Sequence, residues 1–132
     1  MSDAKTAATP FQLDAIGWVD EAKVSKGPLA PKTVEAVRSG VRRKLLSRGE
    51  GGFFSHYAEF PPDYTLAPHS HNRDEMLIVV KGDATILGSE LKLGPLDSIV
   101  LNAGVEYGLH TGPEGLGFFT IRAGDSQITF AE

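Results

Sequence analysis

The chain has 132 residues, enough for one domain of ordinary size, and 41% of them are hydrophobic, enough for a core. Seventeen acidic against thirteen basic side chains give a net charge of −4, which argues against broad binding to nucleic acid or to anionic membranes. The chain contains no cysteine, which excludes disulfides, thiolate metal sites and a cysteine nucleophile. Fifteen glycines and eight prolines exceed the usual content and indicate many turns between short strands.

The N-terminal third predicts a tail and an arm that precede a β-domain. Residues 1–10 are small and polar, typical of a flexible tail, and they lack the apolar stretch of a secretory leader. Apolar side chains between residues 11 and 24 indicate a short strand or an arm that packs across the body, and residues 33–41 fit helix and strand about equally. No apolar run reaches 18 residues, so we expect a cytoplasmic protein without a membrane segment. The predicted organisation is a tail at 1–10, an arm at 11–40 and a β-barrel at 41–132.

The remaining sequence predicts an all-β domain built from short strands. Apolar alternation and Gly/Pro punctuation recur every 8–12 residues, which is typical of a sandwich or barrel. The segments 81–83, 88–90 and 111–115 are predicted to be turns. The predicted strands are 52–60, 64–71, 75–80, 84–87, 91–93, 98–101, 105–109, 117–122 and an edge strand at 128–130.

Three side chains stand out as candidate metal ligands: His69, His71 and Glu75. Residues i and i+2 of a strand project from the same face, so the two imidazoles lie side by side. If the strand that Glu75 opens pairs with the histidine strand, the carboxylate lies against them. Two neutral imidazoles and one carboxylate form a facial triad for a divalent metal that leaves coordination positions open. The alternative is two histidines hydrogen-bonded in a solvated turn beside an exposed glutamate.

These residues carry a family resemblance. The pattern His69-x-His71-x3-Glu75-x6-Gly82 resembles the first motif of the cupin superfamily, and residues 97–108 resemble the second in degraded form, with Tyr107 where the fourth ligand histidine is usual. The resemblance covers about residues 40–125. It implies a double-stranded β-helix, a cupin jelly-roll barrel, with an N-terminal arm and a divalent metal (Fe, Mn, Ni, Co or Zn) inside one mouth.

Tyr107 is the departure with the most consequence for function. It is a weak fourth metal ligand, or a proton donor to substrate beside a three-ligand metal, or a packing residue in a relic site without metal. A phenol has a pKa near 10 and is a poor ligand until it is ionised, although a nearby dication favours the phenolate. Its alternation with Leu109 places it in the barrel interior.

Other polar side chains have two interpretations each. His56 is interpreted as a hydrogen-bonded core histidine, with entry into the pocket as ligand or base as the alternative. Arg122 is interpreted as a solvent-facing strand charge, with a carboxylate anchor as the alternative. His110 is expected at the surface, and Trp18 at an interface or over the core. The basic cluster Arg42, Arg43, Lys44 and Arg48 is interpreted as a solvated strand face or a partner-facing edge, with an anion-binding patch as the alternative.

The leading hypothesis is a metal-dependent cupin enzyme acting on a small oxygenated or aromatic organic molecule. The resemblance implies a dioxygenase, isomerase, decarboxylase or lyase reaction, with Tyr107 as the catalytic residue and His69, His71, Glu75 and Tyr107 as the metal set. The alternatives are a non-catalytic module that binds a small molecule or a metal, and a structural dimer whose pocket has decayed. We expect a small-molecule substrate, no nucleic acid and a homodimer, since the outward-facing Met76, Ile78 and Val80 need cover from an arm, a second sheet or another subunit.

Overall fold

The structure is a computed structural model that describes residues 8–24, 30–124 and 128–130. Most of the predicted tail, residues 1–7, lies outside the described residues. Helix α1 spans Glu21–Val24 and helix α2 spans Pro31–Ser39, with short 3₁₀ turns at Leu13–Ala15 and Glu50–Gly52. The described strands are β1 Arg42–Arg48, β2 Phe54–Phe60, β3 Thr65–His71, β4 Glu75–Ile86, β5 Lys92–Leu93, β6 Ser98–Leu101, β7 Tyr107–Arg122 and β8 Ile128–Phe130. The prediction of a mostly β chain is confirmed.

Strand β7 is the centre of a curled antiparallel sheet. Strand β4 pairs with β7 along one edge, from Glu75 opposite Arg122 to Ile86 opposite Leu109. On the other edge, the first half of β7 pairs with β3 and the second half with β2. The pairing continues outward from β2 to β1, from β3 to β8, and from β4 to β5 and β6. Every ladder therefore leads back to β7.

Two predicted turns are bends inside long strands. Residues 81–83 lie within β4 and residues 111–115 lie within β7, and the two bends face each other because Gly82 pairs with Leu116. Gly82 has φ +71° and Gly115 has φ +77°, and a Cβ on Gly82 would collide with the carbonyl oxygen of Gly115. Only glycine fits where the two backbones come this close. Both strands therefore bend at the same level, and each continues as one strand through the bend.

The ambiguous segment at 33–41 is helical up to Ser39. Helix α2 begins with Pro31, whose fixed φ suits the first helical position. It ends at Gly40, which has φ +106° and donates its N–H to the carbonyls of Ala36 and Val37. Val34 and Val37 therefore lie in a helix despite their β-branched side chains, because proline at its start and glycine at its end favour a helix between them.

The arm packs across the outer face of the sheet, as one of the sequence alternatives expected. Val19 donates its N–H to the carbonyl of Arg43 at 2.8 Å. The Trp18 ring lies 6.2 Å from the Tyr57 ring, which in turn lies 5.2 Å from Phe119. Trp18 therefore covers the outer end of a row of side chains that crosses the sheet.

Three members of the basic cluster on β1 have acidic, carbonyl or aromatic partners, whereas Arg42 and Arg48 are exposed, so the interpretation as a solvated face holds for only part of the cluster. Arg42 donates to Glu59 at 2.7 Å, and Arg43 holds Glu21 through two hydrogen bonds. Lys44, only 9% exposed, donates to the carbonyl of Leu13 and lies 4.7 Å from the Trp18 ring. The positive charge of β1 therefore fastens the arm to the sheet.

The core lies between the inner faces of the curled sheet. Its most deeply buried members include Leu77, Val79, Leu109, Leu116 and Phe118. On the outer face, the alternating residues Met76 and Val80 remain 39% and 37% exposed. Among the residues that the structure describes, no helix is long and apolar enough to cross a membrane.

Candidate functional site

The curl of the β4–β7 ladder assembles the candidate site. Glu75 pairs with Arg122 at one end of the ladder, whereas Tyr107 begins β7, fifteen residues earlier. That separation is about 50 Å along an extended strand. Even so, the Tyr107 hydroxyl donates a hydrogen bond to Oε1 of Glu75 at 2.9 Å. The glycine bends therefore bring the two ends of one ladder into contact.

The two histidines enter from β3. His69 pairs with Tyr107 across the β3–β7 ladder, and their rings lie 4.4 Å apart. The His71 ring lies 5.1 Å from that of His69, and Nε2 of His71 lies 3.5 Å from Oε1 of Glu75. All four predicted side chains thus lie in one cluster. The sequence predicts this contact on the condition that the two strands pair directly, whereas β3 and β4 flank opposite edges of β7 and meet through the curl.

Both histidines are held as neutral imidazoles. Burial lowers the pKa of His69 and of His71 below the ordinary 6.5. His69 is 1% exposed and its Nδ1 lies 2.8 Å from the carbonyl of Ala67. A carbonyl only accepts, so Nδ1 of His69 carries the proton and Nε2 keeps a free lone pair.

Glu75 and Tyr107 form a buried acid pair. Burial raises the pKa of Glu75 above 4.5, although Tyr107 and Arg122 act against this by favouring the carboxylate. Burial and the neighbouring carboxylate raise the pKa of Tyr107 well above 10. Tyr107 is therefore a neutral phenol whose proton points at Glu75. This arrangement suits a proton donor better than a phenolate ligand.

The donor types fit a divalent cation. Two neutral imidazoles and a carboxylate form a common ligand set, and His69 already has one nitrogen fixed by a backbone carbonyl. Within the described ranges, however, no three His, Asp or Glu side chains surround one point closely enough to form a ready metal centre. Both oxygens of Glu75 are engaged by the protein, one by Tyr107 and the other by Arg122 at 3.5 Å. His69, His71 and Glu75 are the groups that would hold the ion, and the metal stays a prediction.

A cavity of about 790 Å³ lies beside this cluster, between helix α2 and the inner faces of β1, β2 and β3. His71 and Arg122 reach its wall from the cluster, whereas His69, Glu75 and Tyr107 lie behind them. The volume is within the range of small-molecule sites. A ligand in this cavity would meet His71 and Arg122 before it met the other cluster residues.

Two sequence interpretations are wrong at the cavity wall. Arg122 is not a solvent-facing charge: its side chain is 13% exposed and Nη1 lies 3.5 Å from Oε2 of Glu75. His56 is not a hydrogen-bonded core residue: it lines the cavity, and its buried Nδ1 has no partner among the residues described. Burial first, and then the charges of Arg122 and Arg43, lower the pKa of His56 to about 3. His56 is therefore neutral at physiological pH.

The other two side chains with alternative interpretations lie where they were expected. His110 is at the surface, 44% exposed, and contacts Thr65 and Asp63. Trp18 covers the outer face. A sequence signal for Arg122 did exist: it follows the buried Phe118 and Thr120 by even steps, so strand alternation places it on the inner face.

No protein-family model matches the chain, and neither does any curated protein. Solved structures do match. KdgF from Halomonas sp. is 20% identical with a TM-score of 0.65, and the match covers 89% of this chain and 96% of that one. The polyketide cyclase RemF from Streptomyces resistomycificus is 16% identical with a TM-score of 0.69, over 95% and 86% of the two chains.

A third match is an RmlC-like cupin from Shewanella frigidimarina, 20% identical over 64% of this chain and 76% of that one, with a TM-score of 0.56. At these identities the likenesses establish the fold, and the relatives that share it include an enzyme, the cyclase. A protein with a double-stranded β-helix domain from Klebsiella pneumoniae also matches, 22% identical with a TM-score of 0.58 over 68% of this chain and 83% of that one. The matches agree with the curled antiparallel sheet and confirm the expected double-stranded β-helix. The chain has the fold of the cupin superfamily.

Proposed function

We propose that the protein is a cupin enzyme that transfers protons on a small oxygenated organic molecule held in the cavity. The observation that supports this most is the series of contacts from Tyr107 to Glu75 to His71. The series begins in the interior and ends at a cavity wall. Isomerase, decarboxylase and lyase reactions all need a proton placed or removed at a defined atom.

The residues in this series have complementary roles. His71 is neutral, so it can accept a proton from a substrate carbon next to a carbonyl. The adjacent Glu75 carboxylate stabilises the resulting imidazolium, and the Tyr107 hydroxyl holds that carboxylate in place. Return of the proton to a second substrate atom completes an isomerisation and restores His71. A divalent cation held by His69, His71 and Glu75 would supply Lewis-acid or redox chemistry to the substrate oxygen, and His71 would then be a ligand and not the base.

Metal binding is tested by titration. Chelator-treated protein receives Mn²⁺, Fe²⁺, Co²⁺, Ni²⁺ or Zn²⁺ while heat of binding and melting temperature are recorded. We expect at least one ion to bind with one site per chain, and we expect His71→Ala and Glu75→Gln to lose that site. His110→Ala, a surface change, is the matched control and should bind as the wild type does. Absence of binding by the wild type for all five ions would contradict the metal proposal.

Catalysis is tested by hydrogen exchange into a substrate panel. Small ketones, keto acids and hydroxy acids are incubated with protein in D₂O, with and without the bound ion, and loss of the C–H proton signal is followed by NMR. We expect exchange in at least one compound, loss of exchange in His71→Ala and normal exchange in His110→Ala. Exchange that survives in His71→Ala would refute the role assigned to that residue.

A non-catalytic binding module is the second candidate. The observation that favours it is the engagement of both Glu75 oxygens by Tyr107 and Arg122, which leaves the carboxylate as a structural group. Such a module would bind small molecules in the cavity without altering them. Compounds that bind but show neither exchange nor turnover, with and without added metal, would favour it over the enzyme.

A further inference from the structure

The cavity wall contains two buried polar atoms that no described residue satisfies: Nε of Arg122 and Nδ1 of His56. Buried polar groups are almost always hydrogen-bonded, since an unpaired one has lost its water without gaining a partner. Arg122 and His56 lie on the inner faces of adjacent strands, with His56 two residues from Phe54, the partner of Arg122 in the ladder. Both side chains line the same cavity. Both side chains are therefore at the wall that a ligand in the cavity would contact, and the two buried atoms would meet the ligand once the side chains turn towards it.

Three of the four arginines in the paired strands, Arg42, Arg43 and Arg122, contact carboxylates, and they use two different edges of the guanidinium group. Arg43 grips Glu21 with Nε and Nη2, at 2.8 and 2.9 Å, and Arg42 uses the same two nitrogens on Glu59. This edge of a guanidinium matches a carboxylate bidentately. Arg122 contacts Glu75 through Nη1, on the other edge, and only at 3.5 Å. Its Nε–Nη2 edge is thus the one that holds a carboxylate elsewhere in this protein, and here the Nε has no described partner.

The charge of the cavity favours an anion. Although the chain carries a net charge of −4, the charged side chains that line the cavity are mostly basic. They are Lys32, Arg43, Arg48 and Arg122, against Glu21 and Glu35. Because Arg43 is paired with Glu21, the remaining charges are three basic side chains against Glu35, and this excess of positive charge attracts anions. The nearby Glu75 carboxylate repels a second negative charge at Arg122, which favours a monoanion such as a carboxylate over a phosphate dianion.

The rest of the cavity is suited to an apolar body. Its walls include several apolar side chains, namely Val37, Leu45, Phe54, Leu66 and Phe130. The volume of about 790 Å³ exceeds what a bare carboxylate needs. The geometry points to a small organic carboxylic acid as the substrate class, with its carboxylate accepting hydrogen bonds from the Nε–Nη2 edge of Arg122 and from a proton on Nδ1 of His56, and its apolar part against these walls. This inference rests on the proposed function only in calling the bound acid a substrate.

The experiment measures binding of simple probes to the full chain by NMR chemical-shift perturbation and calorimetry. Benzoate and phenylacetate are compared with the neutral benzamide and benzyl alcohol, and with inorganic phosphate. We expect the two acids to bind and the neutral analogues to bind at least about tenfold more weakly, because they lack the charge-assisted hydrogen bonds. Phosphate should not displace benzoate at equal concentration. Equal binding of benzoate and benzamide, displacement by phosphate, or no binding of either acid would overturn the inference.

The variants identify the residues. Arg122→Gln should weaken benzoate binding by about 10- to 100-fold. Arg122→Lys, which keeps the charge without the bidentate edge, should weaken it by about tenfold. Arg38→Gln removes an exposed arginine of α2 outside the cavity and should change nothing. If Arg122→Gln does not fold, Arg122→Lys and His56→Gln still decide, and unchanged benzoate binding in both would overturn the inference.

Failure of this inference differs from failure of the proposed function. If benzoate binding depends on Arg122 while no compound exchanges protons, the acid site stands and the enzyme proposal fails. If neutral ketones exchange protons in a His71-dependent way while benzoate binding is unchanged in the Arg122 variants, the proposed enzyme function is supported and the carboxylic-acid site is refuted.

Discussion

Two tyrosine–glutamate pairs occupy opposite faces of the sheet. On the outer face, the Tyr57 hydroxyl donates to Glu59 at 2.7 Å, and Lys81 lies 2.7 Å from the same carboxylate. On the inner face, Tyr107 donates to Glu75 at 2.9 Å, and the nearest cation, that of Arg122, is 3.5 Å away. The chemical groups are almost the same, but only the outer carboxylate has short contacts to cations.

This difference gives the two carboxyl groups opposite pKa shifts. Burial by itself would raise the pKa of Glu59, but hydrogen bonds from Lys81, Tyr57 and Arg42 outweigh it and lower the pKa to about 2. Burial raises the pKa of Glu75, and its partners do not fully compensate. In the outer pair, the carboxylate has its hydrogen bonds and ion pairs complete and serves the structure. In the inner pair, the pKa of the carboxyl group is shifted upward, in the direction of neutral pH, which is the direction that acid–base chemistry requires.

The largest expected effect comes from removing one hydroxyl at a time. Tyr107→Phe should lower the rate of proton exchange by about 10²- to 10⁴-fold, because Glu75 loses the donor that holds it beside His71. Tyr57→Phe, the matched change on the outer face, should leave that rate unchanged and lower the free energy of unfolding by about 1 kcal/mol. Exchange rates and urea unfolding of both variants check this. A similar loss of rate in the two variants would show that the faces do not differ as described.

The next effect concerns stability against pH. The folded pKa of Glu59, about 2, lies below its ordinary 4.5, so its contribution is present above pH 4.5 and is lost as the pH falls towards 2. This pKa shift corresponds to a contribution of about 3 kcal/mol to the free energy of unfolding. The folded pKa of Glu75 is raised, so its contribution is present below the ordinary pKa and declines as the pH rises past it.

Unfolding of Glu59→Gln and Glu75→Gln in urea at a series of pH values from 2 to 7 measures both terms. The difference in unfolding free energy, wild type minus variant, should rise with pH for Glu59→Gln and fall with pH for Glu75→Gln. Slopes of the same sign for the two variants would refute the contrast between the faces.

A smaller effect concerns the part of the outer face that the arm does not cover. Met76 and Val100 face each other across β4 and β6 and are 39% and 58% exposed. We expect this patch to take part in the predicted homodimer, so Val100→Glu should weaken dimerisation by about tenfold or more, since a charge replaces an apolar contact. Light scattering over a concentration series checks this, with Val105→Glu as the control at another exposed valine. A monomeric wild type at all concentrations would contradict the prediction.

The smallest effect is a gain in stability on the inner face. His56→Phe removes a buried imidazole whose Nδ1 has no described partner and should raise the free energy of unfolding by about 1 kcal/mol. The gain should grow as the pH falls below 6.5, because the unfolded histidine takes up a proton that the folded one does not bind until about pH 3. Thermal melts at pH 5 and pH 7.5 measure both. A loss of stability in His56→Phe would mean that the imidazole is satisfied in the folded protein.

Strand alternation and local punctuation account for what the sequence predicts well. The alternation of His69 with His71 and the start of a strand at Glu75 were predicted because they depend only on neighbours in the chain. The sequence predicts turns at Gly82 and Gly115, because a glycine in a loop and a glycine in a folded-over strand have the same local signal. Only the partner strand distinguishes the two cases.

The sequence predicts which residues form the site, but it does not predict the strand pairings that bring them into contact. The motif predicts the four residues of the cluster, His69, His71, Glu75 and Tyr107. Their contact depends on β7, which pairs with both β3 and β4, and pairings between strands far apart in the sequence are not visible in a local motif. The expectation that Arg122 faces solvent rests on the usual exposure of charged residues, whereas its even spacing from Phe118 indicates the inner face. His56 was placed correctly on a buried face, but its missing hydrogen bond depends on the cavity beside it.

The bend in β7 divides the residues of the site into two halves, one on each side of the bend. Tyr107 and His69 belong to the part of the ladder before the bend, Glu75 and Arg122 to the part after it, and the bend itself presents the exposed residues Pro113 and Glu114. Lengthening the chain at those two positions would shift one half against the other without touching the neighbours of either. The hydrogen bond between Tyr107 and Glu75 joins the two halves, so under the proposed function the length of the chain at this distant surface bend would change the rate of proton transfer.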